Sequence, residues 1–267
     1  MSDHRPEWSL PPGVTRGLWD YAHSDPIAED YDEYFAHNRL FEFDEQVILR
    51  ELEERDLSSD CLIADLGCGT GRAIVPLARR GYRGLAVDLS EKMLAIVKAK
   101  AEAESLPIEC VHANLVELDC VEYASIDAAI SLFSTLGMIR GRTNRFRALE
   151  HTARILKPGS PFVLHAHNYW FNLYDPGGPW WVLRNFCRAS FVRDIEAGDK
   201  FFSYRGLPNM FLHVFRLGEL KRDLRRAGFQ VTRIIPLDPR RHRALRMPCV
   251  AGRLRANGWI VVAERRS

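Results

Sequence analysis

The chain has 267 residues, 46% apolar and 27% charged, with six cysteines and a formal net charge of +2. These proportions belong to a globular protein with a core of its own and exclude a disordered, fibrous or disulfide-dense chain, while no apolar run reaches the roughly 18 residues that a spanning helix needs. The small net charge hides an asymmetry: residues 1–60 hold 16 acidic and 5 basic side chains and residues 216–267 hold 4 acidic and 14 basic, so the ends can attract each other or the basic end can face an anion, although ordinary solvated faces are the simpler reading.

In chain order, MSDHRPEWSLPPG lacks the apolar centre of a secretory signal. With Pro6, Pro11, Pro12 and Gly13, the first 25 residues read as an irregular lead-in. From Asp25 to about Asp56, apolar residues such as Ile27, Tyr31, Phe35, Val47 and Leu52 recur at helical spacing. Residues 1–56 are therefore expected to form a lead-in and helical cap, and residues 57–267 the main domain. There the periodicity switches. Strands are predicted at 61–65, 84–88, 108–112, 126–132 and 162–167, alternating with helices at 72–80, 90–103 and 143–156. Ser90 is placed to cap the second of these helices, and Pro158-Gly159 stops the third. Such alternation predicts an α/β fold, a doubly wound and mostly parallel sheet with helices on both faces.

The pattern breaks at Asn168. Residues 168–215 are crowded with aromatics and turn at Asp175-Pro176-Gly177-Gly178-Pro179, which predicts a cap insertion after the fifth strand with its own small core. A last helix at 219–227 and two strands at 229–235 and 259–264 follow, the strands joined by a basic loop (238–257). Cys61, Cys68, Cys110, Cys120, Cys187 and Cys249 form no C-x-x-C pair or zinc spacing. They read as reduced packing residues of a cytoplasmic protein, and no metal site is expected.

The chemistry concentrates at Asp65-Leu66-Gly67-Cys68-Gly69-Thr70-Gly71, between the first strand and its helix. Glycines allow a sharp turn and close ligand approach, and free N–H groups at a helix start suit an anionic group. Asp88, at the tip of the second strand, can accept hydrogen bonds from both hydroxyls of a ribose. The spacing D-x-G-x-G-x-G differs from the dinucleotide fingerprint G-x-G-x-x-G. Asp65, two residues before the first glycine, would repel a pyrophosphate but not a zwitterionic amino acid. A nicotinamide oxidoreductase is disfavoured on both grounds.

At these residues the sequence resembles the class I S-adenosylmethionine-dependent methyltransferases. DLGCGTGR (65–72) matches the first motif of that family and AVDLSEKML (86–94) the second. The resemblance implies a Rossmann-like seven-stranded sheet of order 3-2-1-4-5-7-6 with the last strand antiparallel, and S-adenosylmethionine as cofactor. It implies cofactor contacts at Asp65, Gly67, Gly69, Gly71 and Asp88, with Leu89 and Met93 beside them. HANLVELD (112–119) falls at the adenine-contacting loop, so Asn114 and Leu115 join the set. Asn114 stands where the family usually has Asp, and its carbonyl can still accept from the adenine amino group. Leu132 and Phe133, at the tip of the fourth strand, fall where the family faces the sulfonium. The Phe133 ring offers either a cation–π contact or a core aromatic. Of Tyr21, Tyr31 and Tyr34, Tyr31 is favoured as the tyrosine that closes the methionine end.

The acceptor is not legible. Methyl transfer needs alignment and exclusion of water, and a base only if the acceptor must lose a proton. His165 and His167 end the fifth strand on one side. They suit a base, an acceptor-orienting group, or two metal ligands completed by a third such as His213; polar strand-end residues are the plainer alternative. A string from His213 to Leu220, with Asn257 and Trp259, partly resembles the tRNA wobble-uridine carboxymethyl methyltransferases. His167 and His213 are thus the candidate catalytic residues. The expected partner is a small-molecule acceptor or tRNA, without a membrane. The basic C-terminal stretch would serve a phosphate backbone or a negatively charged small acceptor. A non-catalytic binding module that keeps the cofactor fold is the alternative.

Overall fold

Apolar runs of four to eight residues, each bounded by a helix or a glycine turn, have one stable arrangement here: strands covered on both faces. The computed structural model describes residues 6–36, 40–192 and 195–267. Residues 1–5 of the expected lead-in, 37–39 of the expected helical stretch and 193–194 of the insertion lie outside the described residues.

Four helices come first: α1 (Arg16–Ala22), α2 (Asp25–Glu29), α3 (Tyr31–Phe35) and α4 (Leu40–Glu53). The alternating region follows as β1 (Leu62–Leu66), α5 (Ile74–Arg79), β2 (Arg83–Asp88), α6 (Glu91–Glu104), β3 (Ile108–His112), β4 (Ala128–Ser131), α7 (Thr135–Met138), α8 (Arg142–Ile155) and β5 (Pro161–His167). The insertion contains α9 (Gly178–Phe191) and the strands β6 (Asp199–Tyr204) and β7 (Leu207–His213). The chain ends with α10 (Leu217–Arg226), β8 (Phe229–Pro236), α11 (Gly252–Arg255) and β9 (Gly258–Arg265).

Seven strands form one sheet in the order β3-β2-β1-β4-β5-β9-β8. The first five are parallel, and β9 runs antiparallel to both of its neighbours. Because β8 and β9 are the sixth and seventh strands of this sheet, the order is the expected 3-2-1-4-5-7-6. Alternate residues of each strand feed two cores. Ala64, Leu85 and Leu164 pack with Leu149 of α8 and Leu220 of α10, and Ile63, Ala86 and Val163 pack with Ile48 of α4, Leu77 of α5 and Val97 of α6. Helix α4 is therefore part of the sheet's own core rather than of a separate N-terminal cap.

The insertion departs from expectation. It forms a two-stranded antiparallel hairpin, β6–β7, and a helix whose aromatics face outward: Trp180 is 67% exposed, Phe186 56% and Phe191 87%. The small aromatic core expected there does not include these three. The cysteines are all free, but Cys120, Cys187 and Cys249 are exposed, so packing does not account for them. Among the described residues no helix is long and apolar enough to cross a membrane.

The N-terminal helices are tied to the sheet at one point of high leverage. Ser90 caps α6, its Oγ accepting from the Met93 N–H at 3.4 Å and donating to the Ala22 carbonyl at the end of α1. Ser90→Ala should cost about 1–2 kcal/mol of stability, read as a lowered urea midpoint at unchanged slope.

Candidate active site

Parallel strands present their carboxyl ends along one edge, and ligands of such sheets bind outside it. The edge here is shaped by the loop after β1. The N–H groups of Gly67 and Cys68 donate to the Val87 carbonyl at 2.8 and 3.1 Å, which stitches the loop to the tip of β2. Gly67 sits at φ +82°, and a Cβ there would stand 2.3 Å from Thr135 Cγ2; both the left-handed backbone and the space require glycine. Asp88 completes the stitch. Its Oδ2 accepts from the Gly69 N–H at 2.8 Å and its Oδ1 from the Ser90 N–H at 2.9 Å. Each oxygen keeps a further lone pair. Burial raises the Asp88 pKa, while the N–H groups of Ser90 and Gly69 pull it down.

Beyond this loop lies a cavity of about 350 Å³, within the range of small-molecule sites. Its lining contains Tyr31, Gly67, Gly69, Asp88, Leu89 and Met93, and further along Asn114, Leu115, Phe133 and His167. Those ten sequence candidates are brought together on one chamber. Four others stand elsewhere. Asp65 is 2% exposed beneath the loop, its pKa pushed up to about 7 by burial and by the neighbouring Asp88 charge against a backbone hydrogen bond from Ile74. Gly71 lies against Val75 and Val97 of the helix layer. Leu132 is buried on the side of α4 and Arg72.

His213 is the fourth. It is fully buried at the end of β7, with Nδ1 2.8 Å from Asp199 and Nε2 3.1 Å from Glu219. Burial opposes its charge, but the two carboxylates prevail and hold its pKa above the ordinary value. Arg145 pairs with the adjacent Glu196 at 2.7 Å. The His213–Glu219 string thus joins the hairpin to α10 and does not line the cavity. Glu196, His213 and Glu219 stand close enough to hold a cation, but both His213 nitrogens already face carboxylates and Glu196 is engaged by Arg145. His165 and His167 are edge to face at 4.9 Å, yet only His167 lines the cavity.

Asn114 lines the chamber with its amide already engaged: Oδ1 accepts from the Val116 N–H at 3.1 Å and Nδ2 donates to the Pro12 carbonyl at 2.9 Å. The lead-in is thereby held against the loop after β3. Above the chamber, α1 and β7 close on each other so tightly that a Cβ at Gly17 would stand 2.5 Å from the Asn209 carbonyl oxygen. Tyr31 rests against Gly69. Its helix is fixed by Asp32, which accepts from Thr70 Oγ1 at 2.6 Å and pairs with Lys100.

At the far end the strand-four tip is strained. Phe133 and Ser134 have φ of +53° and +66°, a conformation that costs non-glycine residues about 1–3 kcal/mol each and collects at functional sites. The turn sets the Phe133 ring beside Phe35 at 5.3 Å and Phe41 at 5.8 Å, and places Ser134 Oγ 3.3 Å from the His167 N–H that it accepts. Arg72 caps this aromatic group, 3.0 Å above the Phe41 ring. Sequence reading missed Thr135, Tyr204, Met210, Leu212 and Arg241, which also line the chamber. Thr135 reaches the site from α7, Tyr204, Met210 and Leu212 from the hairpin, and Arg241 from the loop after β8.

A family model described as a methyltransferase domain matches residues 63–159. A Geobacillus sp. (strain WCH70) protein designated a candidate methyltransferase is 34% identical over 106 residues, 40% of this chain and 42% of that one. The matched stretches span about half the length of the first curated relatives, 42 to 60%. Among solved structures, a SAM-dependent methyltransferase from Methanosarcina mazei superposes with a TM-score of 0.64 at 20% identity, over 80% of this chain and 97% of that one. A Burkholderia thailandensis 1,6-didemethyltoxoflavin N1-methyltransferase, solved with that compound and S-adenosylhomocysteine, gives 0.60 at 15% identity over 97% and 93%. At these identities the structural likeness speaks for the fold.

Both ring nitrogens of His165 are buried without a hydrogen-bond partner, and burial first, then His167 and Arg241, hold its pKa well below 6.5. The folded chain therefore stays neutral at this residue while the unfolded chain takes up a proton below about pH 6.5, so stability is full above that value and is lost as pH falls. His165→Leu should raise stability by about 1 kcal/mol at pH 7, and by more at pH 5, in thermal melts at both values.

Proposed function

We propose that this chain, whose residues 63–159 match a methyltransferase-domain model and whose sheet order is that of the class I S-adenosylmethionine-dependent methyltransferases, moves the methyl group of that cofactor to a small acceptor held in the same chamber. One observation carries the reading: a single cavity runs from Gly67, Gly69 and Asp88 to Phe133 and His167. The residues at its first end fit the cofactor. The spare lone pairs of Asp88 suit ribose hydroxyls, the glycine loop leaves room for the amino-acid tail, and Leu89, Met93 and Leu115 offer apolar surface for a flat base. When bound, the cofactor supplies an electrophilic methyl group on a sulfonium sulfur.

The chain's own contribution is alignment and exclusion of water. Tyr31 and Phe133 flank the junction between the two halves of the chamber, and the α1–β7 roof keeps solvent from it. His167 acts as a positioning group in this reading. Burial first, and then the Arg241 charge, push its pKa down to about 3 against a hydrogen bond that the imidazole donates to Asn257. An imidazole that weakly basic does not collect a proton near neutral pH. A small acceptor suits a roofed chamber better than a tRNA base does. The exposed Arg240, Arg243, Arg246 and Arg253 would serve the RNA alternative.

A methyl-labelled cofactor incubated with the chain and a cell extract, then fractionated, should place label in small molecules. Label in the RNA fraction would replace the small acceptor with RNA, and no label in any fraction despite cofactor binding would favour a binding module. Asp88→Ala should weaken S-adenosylhomocysteine binding by about 1–3 kcal/mol, since hydrogen bonds to a charged acceptor are lost. Unchanged affinity in calorimetry would remove Asp88 from the ribose site.

A further inference from the structure

The loop after β8 sends one arginine into the chamber. Asp238 shapes a tight turn there: its carbonyl accepts from the Arg241 N–H at 2.9 Å, its Oδ1 accepts from the His242 N–H at 2.9 Å, and its own N–H donates to the Arg243 carbonyl at 3.0 Å. Arg241 sits in this turn at φ +60°, a left-handed conformation uncommon for an arginine. Its neighbours Arg240, His242 and Arg243 are exposed, whereas Arg241 is half-buried and lines the cavity. Its guanidinium lies 5.4 Å from the Phe133 ring centre.

A guanidinium has five N–H donors and normally finds a carboxylate when buried. Among the described residues no carboxylate pairs with Arg241 within 4.0 Å. Its hydrogen bond is a long one, Nη1 donating to His167 Nε2 at 3.5 Å. Asp44 attracts it through space, but that carboxyl makes no hydrogen bond of its own, and burial, only partly offset by Arg241 and Arg72, pushes its pKa up to about 7. The nearest ring is Phe133, and the chamber that the guanidinium enters is lined mostly by apolar and aromatic side chains, Phe202, Tyr204 and Met210 among them. Such a wall neither neutralises a cation nor fills its donor fork, whereas a planar anion would do both.

We propose that Arg241 is the counter-ion of the acceptor, which enters as a planar aromatic anion with its carboxylate or equivalent anionic oxygen against the guanidinium and its ring beside Phe133. The inference deepens the methyl-transfer reading and rests on it for the word acceptor. It also accounts for His167. The lone pair of Nε2 is turned to Arg241, so the imidazole orients the guanidinium instead of removing a proton. An acceptor already deprotonated forms its new bond to carbon with an oxygen lone pair, the departing sulfur keeps the pair of the broken S–C bond, and no proton moves.

The test uses the full chain and two probes of one shape, 2-naphthoate and neutral 2-naphthamide, titrated by calorimetry with and without S-adenosylhomocysteine. The acid should bind at least tenfold more tightly than the amide, Arg241→Gln should erase that preference, and Arg241→Lys should keep part of it. Equal binding of the two probes by the unaltered chain, no binding of the acid, or undiminished preference in Arg241→Gln would overturn the proposal. The S-adenosylhomocysteine titration reports separately on the cofactor reading. A chain that fails to bind the nucleoside but still prefers the acid would sink that reading and leave the anion site standing.

Discussion

The stitch between the first two strand tips governs the rest of the molecule. Three N–H groups of the glycine loop, from Gly67, Cys68 and Gly69, are taken up by the Val87 carbonyl and the Asp88 carboxylate. A buried loop is tolerable only when its backbone groups are satisfied, and here their acceptors belong to the neighbouring strand. The loop is therefore held open as a cradle. Asp88 is held too, by Gly69 on one oxygen and Ser90 on the other, and keeps a fixed orientation toward the chamber. Ser90 then carries the same constraint outward to α1 through the Ala22 carbonyl. Cradle, acid and roof form one hydrogen-bonded chain.

The two ends of the chamber obey different physics. The cradle end is polar and its groups are paired. The far end is built from rings and the cation of Arg241, and behind those rings Arg72 keeps one buried donor without a partner and Asp44 a buried carboxyl with none. Burial depresses the basicity of both arginines and of both histidines on β5. A solvent-poor region of this kind strengthens every charge interaction made inside it.

Much of this was legible in the residues. The strand and helix alternation from Cys61 to His167 and the cap at Ser90 follow from local pattern, because a buried parallel sheet leaves a strong signature, whereas the sheet order came from the family resemblance of the two glycine-loop motifs. The cradle was legible for the same reason: glycines and an acid at strand tips have few other uses. What escaped lay in long-range contacts. Tyr204, Met210 and Leu212 reach the chamber on a hairpin that packs against α1, and nothing local distinguishes them from the other apolar and aromatic residues of the insertion. Arg241 was hidden in a basic loop where its neighbours are solvated. Reading His213 as catalytic followed from a local string whose job proved to be joining β7 to α10. In the opposite direction, Trp180, Phe186 and Phe191 look like core by type and are exposed in the fold.

The chamber's walls come from residues as far apart as Gly13 and Arg241. Closing a loop of that span is costly in chain entropy and slow. A nascent chain that has already formed its first two strands owns the cradle but no enclosure, and it gains one only after the hairpin has met the N-terminal helix. Competence to hold a guest is thus among the last properties acquired during synthesis. Partly made chains, lacking the roof, leave any guest at the cradle open to water.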